Sequence, residues 1–252
     1  MAARNPFSLK GKVAVVTGGL GQLGSAFVDG LEAAGARVFA ADLPDARPFR
    51  RGARRPHIPL DVTDERSVDA AVAAVRRKAG RVDLWLNNAG IGIFTPFETR
   101  TIAEFDRVLD INVKGVFLCT RAAARAMAPK RGGVILNVAS VYGLVSPDPR
   151  IYGDSGRNSS EVYGASKSAV VQMTKYFAVH LGSKNIRVNA ITPGGIFNHQ
   201  KPGFVKGYRA RTPLGRMAHE KDMAGAAVFL ASDAASYVTG HNLVVDGGWT
   251  AW

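Results

Sequence analysis

One cysteine in 252 residues, Cys119, leaves no partner for an internal disulfide, and no Cys or His companions stand at zinc-ligand spacing. A disulfide framework is excluded, no metal site is expected, and Cys119 reads as a buried thiol. Long apolar runs are missing as well. No stretch approaches the ~18 uninterrupted apolar residues of a membrane helix, and the opening MAARNPFSLK lacks the apolar core of a secretory signal. A cytoplasmic protein without a membrane partner is expected. Acidic residues are scarce, 20 Asp and Glu against 33 Lys and Arg, which gives a net charge of +13 and raises nucleic acid as a partner. Aromatic residues, however, make up only 8% and are not interleaved with a basic face. The densest basic run, Arg47, Arg50, Arg51, Arg54 and Arg55, is punctuated by Pro44, Pro48, Gly52 and Pro56 and reads as a solvated loop. No nucleic-acid partner is expected, and a general pull on anionic metabolites is the milder consequence.

Apolar residues make up 46% and charged residues 21%, which excludes disorder and supports one large domain over residues 1–252. Short apolar runs alternate with longer segments of helical period from end to end, the pattern of βαβ units around a parallel sheet. Strands are expected at Val13–Val16, Arg37–Ala41, Ile58–Leu60, Val82–Leu86, Gly133–Val138, Ile186–Ile191 and Asn242–Val245. Helices are expected over Gln22–Ala34 before Gly35, Asp64–Ala79 before Gly80, from the Thr101/Glu104 capping box toward Met127, and over Val162–Leu181 and Glu220–Leu230. Seven strands with intervening helices make an α/β, doubly wound parallel sheet, a Rossmann fold in a single domain.

The turn after the first strand reads Thr17-Gly-Gly-Leu-Gly-Gln-Leu-Gly24, so Gly19, Gly21 and Gly24 fit G-x-G-x-x-G. Glycines there permit a tight turn, close approach of backbone to a pyrophosphate and close packing of helix on strand. Asp42 ends the second strand about 20 residues on, where a carboxylate accepts from adenosine ribose hydroxyls and repels a 2′-phosphate. NAD is therefore expected ahead of NADP, although Arg47, Arg50 and Arg51 stand nearby for a phosphate. Tyr163 and Lys167 lie four apart on one helix face, and an ammonium there lowers the pKa of a phenol toward the working range of a general base. Ser140 follows the fifth strand at the carboxyl edge, where such sheets bind ligands.

The glycine turn, Asp42, Asp61-Val62, Asn87-Asn-Ala-Gly90, Asn112, Ser140, Tyr163 with Lys167, Pro193-Gly194 and Val245-Asp-Gly-Gly248 occur in the order found in short-chain dehydrogenases/reductases, which the chain resembles from about residue 8 to 250. The resemblance implies a catalytic set of Asn112, Ser140, Tyr163 and Lys167. Tyr163 would be the general acid/base, Lys167 would lower its pKa and bind the nicotinamide ribose, Ser140 would bond the reacting oxygen, and Asn112 would hold a water in a proton relay. It implies cofactor contacts from Gly18, Gly19, Gly21, Gln22, Leu23 and Gly24, from Asp42, Asp61 and Val62, from Asn88, Ala89 and Gly90, and from Pro193, Gly194 and Ile196, besides Tyr163 and Lys167. It also implies the compact single-domain branch and a homotetramer, with contacts through the long helices and the apolar tail Trp249-Thr-Ala-Trp252.

The sequence departs from that pattern at three places. Gln22 stands where compact members carry a glycine. Ser140 and Tyr163 are about ten residues further apart than is usual, which marks an insertion at about 146–159. Asn198 stands where a threonine often helps hold the cofactor. The expected reaction is hydride transfer between a nicotinamide cofactor and a secondary alcohol or ketone. The insertion carries Asp148, Arg150, Tyr152, Asp154 and Arg157 and resembles that of members associated with bacterial surface sugars, so a sugar or another polyhydroxylated or anionic small molecule is the expected substrate, with a substrate loop at about 196–216. The alternatives are an NADPH-dependent 3-ketoacyl reductase and, outside the enzymes, a cofactor-binding regulator.

Overall fold

The computed structural model describes residues 5–49, 56–127, 132–153 and 159–252. Arg50, Arg51, Arg54 and Arg55 of the basic loop, and Asp154 and Arg157 of the insertion, lie outside the described residues. The chain runs β1 (Val13–Thr17), α1 (Gln22–Ala33), β2 (Arg37–Asp42), β3 (Ile58–Pro59), α2 (Glu65–Ala79), β4 (Leu84–Asn87), α3 (Ile102–Leu109), α4 (Gly115–Ala126), β5 (Gly133–Val138), α5 (Glu161–Leu181), β6 (Ile186–Pro193), α6 (Pro202–Arg211), α7 (Ala224–Ala231) and β7 (Asn242–Val245). The seven strands are parallel in the order β3-β2-β1-β4-β5-β6-β7. The chain therefore winds outward from β1 through β2 and β3, then returns to β4 on the other side. This reversal opens a crevice between the carboxyl ends of β1 and β4, where open α/β sheets bind ligands.

Both faces of the sheet are apolar, as a buried parallel sheet requires. One face packs Val15 and Ile135 against Val68 and Val75 of α2, Leu118 of α4 and Ala178 of α5; the other packs Val16 and Leu136 against Phe27 and Leu31 of α1 and Leu230 of α7. Cys119 lies buried in the first of these layers, and burial pushes its thiol up to about 12. Asn87 and Asn137 are register partners on β4 and β5. The Asn87 amide donates to Asn137 Oδ1 at 2.8 Å, Asn137 donates to Thr174 on α5 at 2.9 Å, and Trp85 Nε1 donates to Asn87 Oδ1 at 2.9 Å. This satisfied network joins strand and helix directly below the crevice.

Several expectations are corrected. The expected strand Val82–Leu86 shifts to Leu84–Asn87. The capping box at Thr101 and Glu104 is formed, but the helical region toward Met127 is interrupted by a π turn at Asp110–Lys114, an irregularity that period counting does not register. The segment Glu220–Leu230 is a 3₁₀ turn, Glu220–Met223, followed by α7. The substrate loop at 196–216 contains α6, which opens with Pro202 in its first turn. Trp249 is not left for an oligomer to cover. It is 3% exposed and stacks on Tyr208 at 4.1 Å, whereas Trp252 is 73% exposed.

Candidate active site

A cleft of about 610 Å³ runs along the carboxyl edge of the sheet from Asp42 to Tyr152. At one end is the glycine turn. A Cβ on Gly24 would fall 2.0 Å from the Gly18 carbonyl oxygen, and one on Gly19 would fall 2.9 Å from Ala40 Cα, so these two glycines let α1 and β2 pack against the turn. Gly19 does not line the cleft. Gly21 does, and a Cβ on it would meet only the Gly18 carbonyl oxygen, at 3.4 Å, so it is there that backbone is open to a ligand. Thr17 laces the turn to the segment after β4: its hydroxyl accepts from the amides of Asn88 and Ala89, both at 3.0 Å, and the Asn88 amide donates back to the carbonyls of Thr17 and Gly18 at 2.9 and 3.1 Å. Asp42 accepts from Leu20 N–H and from Leu43 N–H, both at 2.9 Å, and so presents a fixed carboxylate at the cleft rim. Asp61 accepts from the Thr63 amide at 2.8 Å and hydroxyl at 2.7 Å, with Val62 beside it.

At the other end stand Ser140, Tyr163 and Lys167. Ser140 follows β5 in extended backbone and caps a 3₁₀ turn, its Oγ accepting from Tyr142 N–H at 3.2 Å. Ser160 caps α5 by accepting from Tyr163 N–H at 3.2 Å, which seats Tyr163 in the first helical turn and Lys167 one turn on along the same face. The close approach of α5 to the Ser140 turn requires Gly143, where a Cβ would meet the Lys167 carbonyl carbon at 2.7 Å. The Ser140 and Tyr163 side chains meet at this end of the cleft. Burial raises the Tyr163 pKa and the Ser140 side chain opposes that rise. Lys167 is buried, its Nζ donates to Val138 O at 2.8 Å and lies 5.7 Å from the Tyr163 ring centroid, and burial lowers its pKa to about 8.

Asn112, in the π turn, is buried behind the cleft wall and does not line the cleft. Its Oδ1 accepts from Ile91 N–H at 2.9 Å and its amide donates to Ile91 O at 2.9 Å and Ser166 Oγ at 3.0 Å. Gly90 lies between it and Lys167: a Cβ there would meet Asn112 Oδ1 at 3.2 Å and Lys167 Nζ at 3.3 Å. Pro193, Gly194 and Ile196 line the cleft after β6. Gly195 N–H donates to the Tyr208 hydroxyl of α6, and Gln22 reaches across to the same loop, donating to Phe197 O at 2.8 Å and to Glu220 Oε2 at 3.3 Å.

The polar residues of the insertion are placed differently from expectation. Asp148 accepts from Arg150 at 2.9 Å and also from Arg211, the Arg150 side chain is 83% exposed, and none of the three lines the cleft. Paired charges there anchor the insertion to α6. Of its described residues singled out from the sequence, Tyr152 alone faces the cleft, where its hydroxyl donates to that of Tyr142 at 3.0 Å. Tyr142, Gly143, Phe204 and Tyr208 escape a motif reading because none of them belongs to a spaced pattern; the adjacency of Tyr142 to Ser140 is the one available hint.

The glycine turn, the Asp42 carboxylate and the buried Lys167 together fit a nicotinamide dinucleotide: open backbone for a pyrophosphate, an acceptor for ribose hydroxyls and a cation at the reacting end. Comparison with known proteins points the same way. A family model described as enoyl-(acyl carrier protein) reductase matches residues 21–250. The chain is 37% identical over 257 residues to a D-threitol dehydrogenase of Mycolicibacterium smegmatis, covering 97% of this chain and 95% of that protein. It is 38% identical over 253 residues to a cyclopentanol dehydrogenase of a Comamonas species, covering 95% and 97%. A short chain dehydrogenase of Leptospira borgpetersenii, solved with bound NAD+, superposes with a TM-score of 0.90 at 38% identity over 99% of this chain and 97% of that one.

Proposed function

This chain belongs to the short-chain dehydrogenase/reductase family, and from that premise we propose that Tyr163, Ser140 and Lys167 carry its chemistry with Asn112 in support. It is an NAD(P)-dependent oxidoreductase acting on CH–OH groups, interconverting a secondary alcohol and its ketone. The observation that carries the assignment of roles is the convergence of Ser140, Tyr163 and Lys167 at the end of the cleft opposite Asp42, with Lys167 Nζ 5.7 Å from the Tyr163 ring centroid.

When bound, the nicotinamide group supplies the acceptor or donor of hydride. Gly18, Gly21, Gln22, Leu23 and Gly24 would hold the pyrophosphate, Asp61 and Val62 the adenine, and Asn88 to Gly90 with Pro193 to Ile196 the nicotinamide half. Ser140 Oγ donates to the substrate oxygen and orients it toward Tyr163. In oxidation the Tyr163 phenolate oxygen takes the hydroxyl proton; in reduction the phenol returns it. The Lys167 ammonium favours the phenolate electrostatically and hydrogen-bonds ribose. Asn112 holds the Gly90–Ile91 segment against α5, its side chain committed to Ile91 and Ser166 rather than to a water in the cleft. The Asp42 carboxylate favours NAD over NADP. A homotetramer is part of this reading, since α3, α4 and α5 each expose large apolar side chains, Ile102, Phe117, Tyr176 and Val179, as is a cytoplasmic location; among the described residues no helix is long and apolar enough to cross a membrane.

A spectrophotometric screen of secondary alcohols with NAD+ and NADP+ tests the reading. Turnover with NAD+ that disappears in Tyr163→Phe is the expected result; turnover of that variant at the wild-type rate overturns the assignment. Light scattering of the native protein at micromolar concentration tests the tetramer.

A further inference from the structure

We propose that Tyr142 and Tyr152 form a hydroxyl-reading subsite, so that the alcohol oxidised in this cleft is a neutral diol or polyol whose second hydroxyl is held beside the carbinol carbon. This rests on Ser140 and Tyr163 flanking the reacting oxygen.

The two phenols come from different parts of the chain and meet inside the cleft. Tyr142 lies two residues beyond Ser140, and its N–H donates to Ser140 Oγ at 3.2 Å, so one short turn fixes both the reacting-oxygen donor and the Tyr142 ring. Tyr152 arrives from the insertion over a 3₁₀ turn, Pro149–Ile151, and its hydroxyl donates to the Tyr142 hydroxyl at 3.0 Å. Its ring is 7% exposed and packs on Phe204 at 5.4 Å. Both tyrosines line the same cleft as Ser140 and Tyr163. Their hydroxyls meet each other at the cleft wall, within the part of the lining that also holds Ser140 and Tyr163.

The chemistry of the subsite selects a neutral oxygen. Burial and the neighbouring phenols drive the Tyr142 pKa far above the ordinary phenol range, so the Tyr142 hydroxyl stays uncharged at any working pH. Among the described residues that line the substrate end, Lys167 is the one charged group, and it is committed to Val138 O and to the neighbourhood of Tyr163. Arg150 and Arg211 are held on Asp148 outside the cleft. A carboxylate or phosphate beside Tyr142 would thus be desolvated among aromatic rings with no cation of its own. A purely apolar group there would leave the phenols facing carbon and lose a hydrogen bond. An alcohol hydroxyl both donates and accepts, as each phenol does, and satisfies the pair in either orientation.

The test compares kcat/KM for cyclohexanol, 1,2-cyclohexanediol, 1,3-cyclohexanediol and 4-hydroxycyclohexanecarboxylate with saturating NAD+ and the full-length protein. The wild type is expected to favour the better diol over cyclohexanol by roughly 10- to 100-fold. Tyr142→Phe is expected to collapse that ratio about tenfold or more, and Tyr152→Phe, which leaves the Tyr142 hydroxyl in place, to reduce it less. A wild-type ratio near one, a ratio unchanged in Tyr142→Phe because both substrates suffer alike, or a preference for the carboxylate overturns the subsite. A protein that oxidises cyclohexanol but neither diol also overturns it. If Tyr163→Phe oxidises the same alcohols as fast as wild type, the error lies instead in the catalytic assignment, which the Tyr142 ratio does not address.

Discussion

Gln22 and Phe197 stand 175 residues apart in the chain, and the Gln22 amide donates to the Phe197 carbonyl oxygen at 2.8 Å. The same amide reaches Glu220 Oε2 at 3.3 Å, while Phe197 N–H donates to Ala218 O at 2.8 Å. A side chain standing where compact relatives have glycine therefore ties the glycine turn to the loop after β6. Gln22→Gly should raise the KM for cofactor about three- to tenfold, the worth of a lost hydrogen bond and a freer loop, with kcat changed less than twofold. Cofactor titration by fluorescence together with steady-state kinetics checks this; an unchanged cofactor KM shows that the bridge is only structural.

Tyr163→Phe should lower kcat by roughly 10²- to 10⁴-fold while cofactor affinity stays within a few-fold, because the phenol moves a proton and contributes little to binding. Lys167→Met should lower kcat and weaken cofactor binding together. It should not weaken the fold, since a buried ammonium is exchanged for an apolar chain of similar length. Thermal denaturation and equilibrium binding separate these effects, and a Lys167→Met protein with normal cofactor affinity would remove lysine from the ribose.

Lys167 also makes stability depend on pH in a defined window. Its folded pKa is lowered from 10.5 to about 8, so between those values the unfolded chain holds a proton that the folded chain has released. Rising pH therefore favours the folded state across that window, and the contribution is lost as pH falls through the folded value. Lys167→Met should flatten this part of the Tm-against-pH curve relative to wild type, and parallel curves for the two proteins would show that the lysine is not the source.

Burial holds the Tyr163 phenol protonated, which works against its use as a base at neutral pH. Alcohol oxidation should consequently speed up as pH rises above neutrality, and ketone reduction, which needs the protonated phenol, should show the opposite trend. Initial rates in both directions from neutral to alkaline pH check this. An oxidation rate that is flat or falling over that range would place the proton acceptor elsewhere.

Asp42 should set cofactor choice. Asp42→Ala should narrow the preference for NAD over NADP on the order of tenfold by removing a negative charge from the site of a 2′-phosphate. Because Asp42 also accepts from Leu20 and Leu43, Asp42→Asn, which keeps an acceptor oxygen, separates charge from loop anchoring. Tighter binding of NADPH than of NADH by the wild type would contradict the role given to Asp42.

The sheet is legible in the sequence because its strands are short, largely apolar runs, β-branched in Val13 to Thr17, and the helix ends at Gly35 and Gly80 carry the left-handed backbone that such a stop needs. Motif residues are legible for the same reason: their spacing is local, within a turn or within α5. What depends on distant partners is not. The π turn at Asn112 reflects its bonds to Ile91 and Ser166, contacts that no local period encodes. Asp148 and Arg150 look like substrate ligands in a linear reading, but Arg211, far along the chain, helps draw Asp148 into an ion cluster. Trp249 looks like a surface residue until Tyr208 is found beneath it.

That stack gives the protein an optical gauge of its own. Its three tryptophans occupy three settings: Trp85 is sealed in the core, Trp252 is in solvent, and Trp249 lies on Tyr208, with the Arg211 guanidinium 5.2 Å from its ring centroid. Since the Tyr208 hydroxyl accepts from Gly195 N–H in the loop after β6, a shift of that loop would be transmitted to the indole, whose emission responds to changes in stacking and in a neighbouring charge. The Trp85 signal then serves as an internal baseline and Trp252 as the fraction open to an aqueous quencher, so loop motion can be timed in stopped flow without attaching a dye.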